Sequence, residues 1–217
     1  MERDTFLTRV GQASLATTLP DPPQVSRDLP ELGDVDLVDL LRARVQAVNG
    51  VMHGPVTRHG ASRAVAGIAT GHDAKSFMAW DDLPASGVAS ALQSAGMERV
   101  DHHVPLEERL EHNLSYLDLD VGVTGADAAL AESGTLVLTH GKGRPRMASL
   151  APEIHIALLE VSFIERTLAH WAHENPRLAG ETTNLVFVSG PSRTGDIEQQ
   201  LNLGVHGPRH LHVVMIK

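Results

Sequence analysis

The chain has 217 residues, 42% of them hydrophobic and 21% charged, a formal net charge of −9 and no cysteine. This composition is typical of a folded protein, and the missing cysteines exclude disulfides, thiol nucleophiles and iron–sulfur clusters held by the chain itself. The acidic balance disfavours nucleic acid and anionic membranes as partners, and an aromatic share of 3% leaves few platforms for stacked bases.

Residues 1–50 differ from the rest of the chain. A short helix is predicted over 6–15, a proline-rich connector follows, and a clear amphipathic helix begins near Asp34. The sequence MERDTFLTRV has early acids and no apolar signal core, and no run approaches the roughly 18 apolar residues of a membrane helix. We therefore expect a cytoplasmic protein with a helical N-terminal extension (1–50) that covers the core of a 51–217 domain or contacts a partner.

From Gly50 onward, predicted strands alternate with predicted helices. The strands are 51–57, 76–80, 99–104, 117–123, 135–140, 154–160, 184–189 and 211–216, and the helices are 59–69, 85–95, 106–114, 162–173 and 194–203. Strands 184–189 and 211–216 are almost continuously apolar, as expected of strands buried on both faces. The pattern predicts an α/β domain with a mostly parallel sheet covered by helices.

Ligands of open α/β sheets gather where strands end, so segment 121–150 is the first candidate site. A strand is predicted to end at Thr124 and Gly125, a short helix to cover 126–131, and Gly134 to make the left-handed turn that ends it. Asp127 and Glu132 are about 140° apart on such a helix, so they are not a carboxylate pair. Asp127 is then either a first-turn acid or a site residue. Glu132 is either an ion-pair partner of an arginine or a site carboxylate.

The loop GKGRPR (141–146) carries three basic residues in an acidic protein. No acidic residue lies between Glu132 and Glu153. Lys142 and Arg146 therefore form a candidate anion site, with a solvated basic loop as the alternative. The spacing does not match a nucleotide-binding P-loop.

Two further turns are candidates. SGPSRT (189–194) is predicted to precede the helix over 194–203, whose N-terminal amides and Arg193 suit a carboxylate, although a self-capped helix explains the pattern equally well. GVHGP displays His206 on a tight turn. His102 and His103 would point to opposite faces of a strand over 99–104, so they cannot both bind one metal ion without distortion. The case for a metal site is therefore weak, and we expect none.

Two of these segments, VGVTGADAALAESGTLVL and SGPSRTGDIEQQLNLGVHGPRHLHVVMI, resemble the lactate utilization protein C family, also called the LUD domain family. The resemblance implies a three-layer α/β/α fold similar to glucosamine-6-phosphate isomerase, ribose-5-phosphate isomerase and CoA transferases. It also implies a role in oxidising L-lactate to pyruvate with partner subunits that carry iron–sulfur clusters.

The resemblance supplies no established catalytic residue. Glu132 is a candidate only by analogy with the glutamate nucleophile of CoA transferases. The candidate ligand-binding residues are Thr124, Gly125, Asp127, Ser133, Gly134, Lys142, Arg146, Ser189, Gly190, Ser192, Arg193, Thr194 and His206.

The leading hypothesis is a subunit without an intrinsic cofactor that binds a small carboxylate or phosphate, organises iron–sulfur partners, or does both. One alternative is a stand-alone isomerase or acyl transferase acting on a phosphorylated sugar or CoA ester, with Glu132 as base or nucleophile. A pure scaffold is the third possibility.

Overall fold

The computed structural model of the chain describes residues 3–15, 33–103, 116–178, 182, 184–195 and 201–217. It divides into two units, Met1–Leu32 and Gly33–Lys217. In the first unit the described part is helix α1 (Arg3–Leu15), which confirms the helix predicted there. Its Phe6, Leu7 and Val10 side chains are about half exposed.

The second unit contains the α/β fold. Its helices are α2 (Leu37–Ala47), α3 (Arg58–Gly71), α4 (Val88–Ser94), α5 (Met147–Leu150) and α6 (Leu168–Glu174). Its strands are β1 (Val51–Val56), β2 (Ser76–Ala79), β3 (Glu98–Arg99), β4 (Val121–Gly125), β5 (Ala128–Leu130), β6 (Thr135–His140), β7 (Ile154–Glu160), β8 (Ile164–Glu165), β9 (Asn184–Val188), β10 (Arg193–Gly195), β11 (Leu201–Leu203) and β12 (His210–Ile216). None of the helices described is both long enough and apolar enough to cross a membrane.

The main sheet has six strands in the order β1-β12-β7-β4-β2-β3, and every neighbouring pair is parallel. The side chains of β7 show that both faces of this sheet are buried. Ile154, Ile156 and Leu158 belong to one hydrophobic core, whereas the intervening Ala157 and Leu159 belong to the other. Because side chains alternate along a strand, the sheet has a core on each face and forms the middle of three layers.

Helices α3 and α4 cover the first face. Thr57 caps α3 by accepting a hydrogen bond from the Gly60 amide, and Ala61, Val65 and Ala69 face the sheet at intervals of four residues. This spacing gives α3 one continuous apolar stripe, and small alanines let the helix lie close to the strands.

The second face packs against α2, α5 and a further sheet. α2 starts at the N-cap Asp36 and buries Leu41 and Val45 completely. The further sheet has the order β8-β5-β6-β9, in which β6 runs antiparallel to β5 and β9. The sequence prediction counted α2 with the N-terminal extension, whereas in the structure α2 lies within the Gly33–Lys217 unit. The predicted strands 135–140 and 184–189 exist, but they belong to this second sheet.

One predicted helix is wrong, and a second is contradicted at both of its described ends. Residues 128–130 form β5, which pairs with β6 on one side and with β8 on the other. The alanines there are buried between neighbours on both sides, and these tertiary contacts override the helix preference of alanine. The described ends of the predicted helix 194–203 form a β10–β11 antiparallel pair, and residues 196–200 between them lie outside the described range.

Other predicted elements are shorter than expected. The strand predicted over 99–104 ends at Arg99, because Asp101 Oδ1 accepts a hydrogen bond from the His103 amide and the chain turns there. Segment 162–173 holds a 3₁₀ turn, β8 and then α6 rather than one helix. In the predicted strand 117–123, only the part from Val121 is extended. The helix predicted over 106–114 lies outside the described residues.

Candidate functional site

A small cavity opens at the carboxyl edge of the main sheet, where β2, β4 and β7 end. It has a volume of about 200 Å³ and is lined by Trp80, Asp82, Pro84, Gly125, Ala126, Asp127, Arg144, Glu160 and Phe163. This edge is where open parallel sheets bind ligands, because strand ends and the loops after them leave a crevice between neighbouring strands.

Arg144 is the central residue of this cavity. Its Nε donates to Asp82 Oδ2 at 2.7 Å and its Nη1 donates to Asp127 Oδ1 at 2.8 Å. Hydrogen bonds to Asp82 and then to Asp127 raise the pKa of Arg144 above its ordinary value, although burial opposes this. The guanidinium also lies 5.0 Å from the centre of the Trp80 ring, so an aromatic face holds it from the third side.

Two contacts fix the groups around Arg144. Trp80 Nε1 donates to the Pro145 carbonyl at 3.2 Å, which sets the plane of the indole. Asp127 Oδ2 accepts from the Thr139 amide at 2.7 Å and from its hydroxyl at 2.9 Å. The carboxylate is therefore preorganised, and Asp127 is not the first-turn acid of a helix.

Lys142 and Arg146 lie on the same turn as Arg144 and are both exposed. A bridge between Gly141 and Arg144 tightens this turn. Neither Lys142 nor Arg146 forms an ion pair with any residue that the structure describes. The field of Arg146 reaches His140, whose pKa is lowered by burial and by this positive charge. The turn therefore presents two cations to the solvent at the carboxyl edge.

Thr124 is the next-to-last residue of β4, but its side chain faces the protein interior and not the cavity. It is fully buried, and its hydroxyl shares a 2.8 Å hydrogen bond with His155 Nε2. Burial lowers the pKa of His155 to about 3, so the ring is neutral. Among the predicted residues of this segment, Gly125 and Asp127 line the cavity.

Glu132 and Ser133 lie at the opposite end of β6. A strand of six residues spans about 17 Å, which separates them from Lys142 and Arg146. Glu132 Oε1 accepts from Arg166 Nε at 2.8 Å, the ion pair that was one of the two interpretations from the sequence. Ser133 donates to the Thr135 hydroxyl at 2.8 Å, and Thr135 contacts the Ser189 hydroxyl at 2.7 Å.

Gly134, Gly190 and Arg193 contact the C-terminal half of α2. Gly134 has φ +66°, and a side chain there would lie 2.8 Å from the Arg44 backbone. A side chain at Gly190 would meet Val48, whose carbonyl also accepts a hydrogen bond from Arg193. Gly134 and Gly190 therefore lie where the second sheet packs on α2, and Arg193 of β10 binds the same end of that helix.

His206 and Ser192 lie near the amino edge of the main sheet, because the GVHGP turn precedes β12. His206 lines an open groove of about 660 Å³ that also contains Asp118, Asp120, Glu153 and Arg209. The Ser192 amide donates to the Pro208 carbonyl at 2.8 Å, and Thr194 lies in the β10–β11 pair. The predicted residues thus fall into three groups, at the two edges of the main sheet and along the second sheet.

Sequence reasoning missed Trp80 and Asp82, and it named Arg144 only as one charge of the basic loop. The signal for the first two is the sequence WDD directly after the apolar strand β2. The expectation for His102 and His103 also needs correction, since β3 ends before them. Their rings lie on the same side of the chain, with centroids 4.1 Å apart.

Residues 38–216 match the family model of the LUD domain. Lactate utilization protein C of Halalkalibacterium halodurans is 35% identical over 152 residues, which cover 67% of this chain and 64% of that protein. Lactate utilization protein C 1 of Bacillus mycoides is 45% identical over 93 residues, which cover 41% of this chain and 40% of that protein. The chain thus spans less than two thirds of the length of these curated relatives.

A solved structure of similar fold is that of a DUF162 family protein from Deinococcus radiodurans. The TM-score is 0.62 at 19% identity, and the match covers 83% of this chain and 96% of that one. The likeness supports the three-layer fold predicted from the sequence. The LUD domain match runs from the first turn of α2 to the end of β12, and the chain belongs to the LUD domain family.

Proposed function

We propose that the chain is a non-redox subunit of an L-lactate utilisation system and binds a small organic anion at the carboxyl edge of the main sheet. The observation that carries the role is the likeness to proteins named Lactate utilization protein C. The arrangement of charges around Arg144 supports the binding of an anion.

The charges at this edge favour binding of an anion next to residues 141–146, which we call the basic turn. Arg58 pairs with Glu160, and Arg144 pairs with Asp82 and Asp127, so these two cations are neutralised locally. Lys142 and Arg146 have no such partner among the described residues, and they flank Arg144 on one short turn. In a chain of net charge −9, two unpaired cations beside a cavity attract a carboxylate.

Arg144 would supply the directional contact. Asp82 is the more exposed of its two partners, with 53% of its side chain accessible against 28% for Asp127. A ligand carboxylate would therefore replace Asp82, while Asp127 keeps the guanidinium in place. A planar guanidinium binds a carboxylate through two parallel hydrogen bonds, which fixes the orientation of the ligand.

The size of the cavity suits a small metabolite. Its volume of about 200 Å³ is below the roughly 300–1,000 Å³ of sites for drug-sized ligands. Trp80 and Phe163 supply apolar walls, and the charged groups lie at the strand ends. An acid of a few carbons, such as lactate or pyruvate, matches this combination.

Oxidation of lactate requires an electron acceptor. A chain without cysteine cannot supply thiolate ligands to an iron–sulfur cluster. In this proposal, partner subunits carry the clusters and this chain presents or senses the organic acid. We therefore expect iron–sulfur proteins to co-purify with the tagged chain from lactate-grown cells.

The test combines binding with growth. The purified chain is titrated with L-lactate and pyruvate by calorimetry, and a deletion strain is complemented on lactate medium. The double substitution Lys142→Glu and Arg146→Glu is expected to weaken binding at least tenfold and to impair growth on lactate. Arg63→Glu with Arg177→Glu is the matched control, because both arginines are exposed and the change in net charge is the same.

Three outcomes separate the alternatives. Normal growth of the deletion strain on lactate would refute the role in lactate utilisation. Full rescue by the Lys142/Arg146 variant would instead show that the chain acts as a scaffold without a ligand at this turn. Equal losses in the variant and its control would refute a specific anion site.

A further inference from the structure

A second polar cluster lies at the carboxyl edge, beside the cavity. Asp81 follows β2, and His102 and His103 follow the neighbouring strand β3. One ligand atom from each of the three side chains lies within 4.8 Å of the others. The cluster therefore brings two imidazoles and one carboxylate to a single point.

The imidazole of His102 is buried without a hydrogen-bond partner in the described part of the chain. Its side chain is only 6% exposed, and neither ring nitrogen makes a hydrogen bond within the described part of the chain. Its Nε2 lies 3.5 Å from Asp81 Oδ2, too far for a well-formed hydrogen bond. Burying an imidazole with both nitrogens unsatisfied is unfavourable, and a metal ion at this point would satisfy Nε2.

The distances suit a shared cation. Asp81 Oδ2 lies 3.0 Å from His103 Nε2 and 3.5 Å from His102 Nε2. Two ligands held about 2.0–2.2 Å from a tetrahedral zinc ion are roughly 3.3 Å apart, a value between these two distances. Arg99 approaches the other oxygen, Asp81 Oδ1, at 3.4 Å, which leaves Oδ2 directed at the imidazoles.

We propose that Asp81, His102 and His103 form a binding site for a divalent transition-metal ion. Imidazole and carboxylate ligands suit zinc, cobalt, iron and manganese rather than calcium, which prefers oxygen alone. The hydrogen bond of 2.9 Å from the His103 amide to Asp101 Oδ1 holds the turn that directs both rings toward Asp81.

The site has room for an exogenous ligand. The side chains of Asp81 and His103 are 40% and 55% exposed, so solvent reaches the side opposite His102. Three protein ligands with an open position are the arrangement of reactive rather than purely structural metal sites. The ion would accept an oxygen atom from water or from a small anion.

The basic turn lies directly against this site. The Asp81 amide donates to the Gly143 carbonyl at 2.9 Å, and a Cβ atom at Gly143 would lie 2.9 Å from Asp81 Oδ2. A carboxylate bound near Lys142 is therefore a candidate ligand of the open position. This last step rests on the proposed function, whereas the metal site does not.

The experiment measures metal binding by the full chain after chelator treatment, with Zn²⁺ or Co²⁺ alone as the probe. About one equivalent is expected to bind, and Co²⁺ is expected to give the visible absorption of a four-coordinate complex. Asp81→Asn and His103→Ala are each expected to weaken binding by at least tenfold and to remove the absorption. Both side chains are substantially exposed, so these variants should fold, and circular dichroism checks this.

Two controls locate the site. His72→Ala removes one member of the separate His53–His72–His212 group and should leave the titration unchanged. The Lys142→Glu and Arg146→Glu variant should bind the metal at least as tightly as the wild type, since added negative charge next to the site favours a cation. Loss of anion binding with metal binding retained therefore distinguishes failure of the anion site from failure of the metal site. Loss of binding in His72→Ala alone, unchanged binding in Asp81→Asn and His103→Ala, or no binding by the wild type would each overturn the proposal.

Discussion

Arg144 Nη1 lies 2.8 Å from Asp127 Oδ1, and this ion pair joins the turn after β6 to the turn after β4. Asp127 is itself held by the amide and hydroxyl of Thr139, so the guanidinium rests on an anchored carboxylate. With the Arg144–Asp82 pair, this contact ties the turn after β6 of the second sheet to the ends of two strands of the main sheet, and it helps to set the position of the basic turn.

Asp127→Asn is expected to lower the free energy of unfolding by about 2–3 kcal/mol, because it removes a charged acceptor of three half-buried hydrogen bonds. Urea denaturation measures the change. Asp82→Asn is the matched control, since it removes a more exposed carboxylate from the same guanidinium. It should lower the free energy of unfolding by less than about 1 kcal/mol. Equal losses in the two variants would contradict the anchoring role of Asp127.

Glu132→Gln is expected to have little effect. The ion pair with Arg166 is solvent-accessible, with 46% of the Glu132 side chain exposed. Pairs of this kind contribute about 0–1 kcal/mol. We therefore expect near wild-type unfolding in urea and normal complementation of growth on lactate. A folded variant that fails to support growth would show that the Glu132 carboxylate is needed for activity and would favour the acyl-transferase alternative.

Four histidines lie in contact where β1, β12 and the end of α3 meet. His212 contacts His53 at 3.0 Å and His72 at 3.1 Å, and the His72 ring lies 4.8 Å from that of His210. Burial, followed by the neighbouring imidazoles, lowers the pKa of His212 to about 4. The pKa values of His53 and His210 are also lowered, chiefly by burial.

These shifts predict acid destabilisation. Between pH 6.5 and about 4 the unfolded chain binds protons that the folded His212 does not, so the unfolding free energy falls as pH falls through this window. Above pH 6.5 His212 is neutral in both the folded and the unfolded chain, so it no longer makes the unfolding free energy depend on pH. Urea titrations between pH 7.5 and 4.5 test this in the wild type and in His212→Gln, which should show a shallower pH dependence. The control His206→Gln changes a histidine on an exposed turn and should keep the pH dependence of the wild type. An identical slope in all three proteins would contradict the attribution of the acid destabilisation to His212.

Gly122 is predicted to tolerate no side chain. A Cβ atom there would lie 1.7 Å from the Ala148 carbonyl oxygen, because α5 packs directly on β4. Gly122→Ala is expected to lower the free energy of unfolding by about 3 kcal/mol or more, measured in urea. Gly67→Ala is the control, since nothing lies within 4 Å of that exposed position in α3. A helical alanine there should stabilise the protein by about 0.5–1 kcal/mol.

Particular segments show where sequence reasoning succeeded. β7 and β12 were predicted almost to the residue, and the apolar run of β12 is buried on both faces as expected. The similar run at 184–189 forms β9, but that strand is only partly buried and Phe187 is 43% exposed, so burial on both faces is wrong there. α2 and α3 were predicted because their apolar residues recur at helical spacing. By contrast, the alanines of β5 carry no strand signal of their own, and only the pairing with β6 and β8 makes them extended.

The sequence by itself determined the class of fold, the family, the absence of thiol chemistry and the isolated basic turn at 141–146. These features depend on composition and on patterns within one segment. Only the tertiary structure decided that Glu132 and His206 lie away from that turn, that Arg144 is held between Asp82 and Asp127, and that Asp81 meets His102 and His103. The physical reason is that strand order and sheet membership depend on contacts between distant segments, which no local pattern encodes.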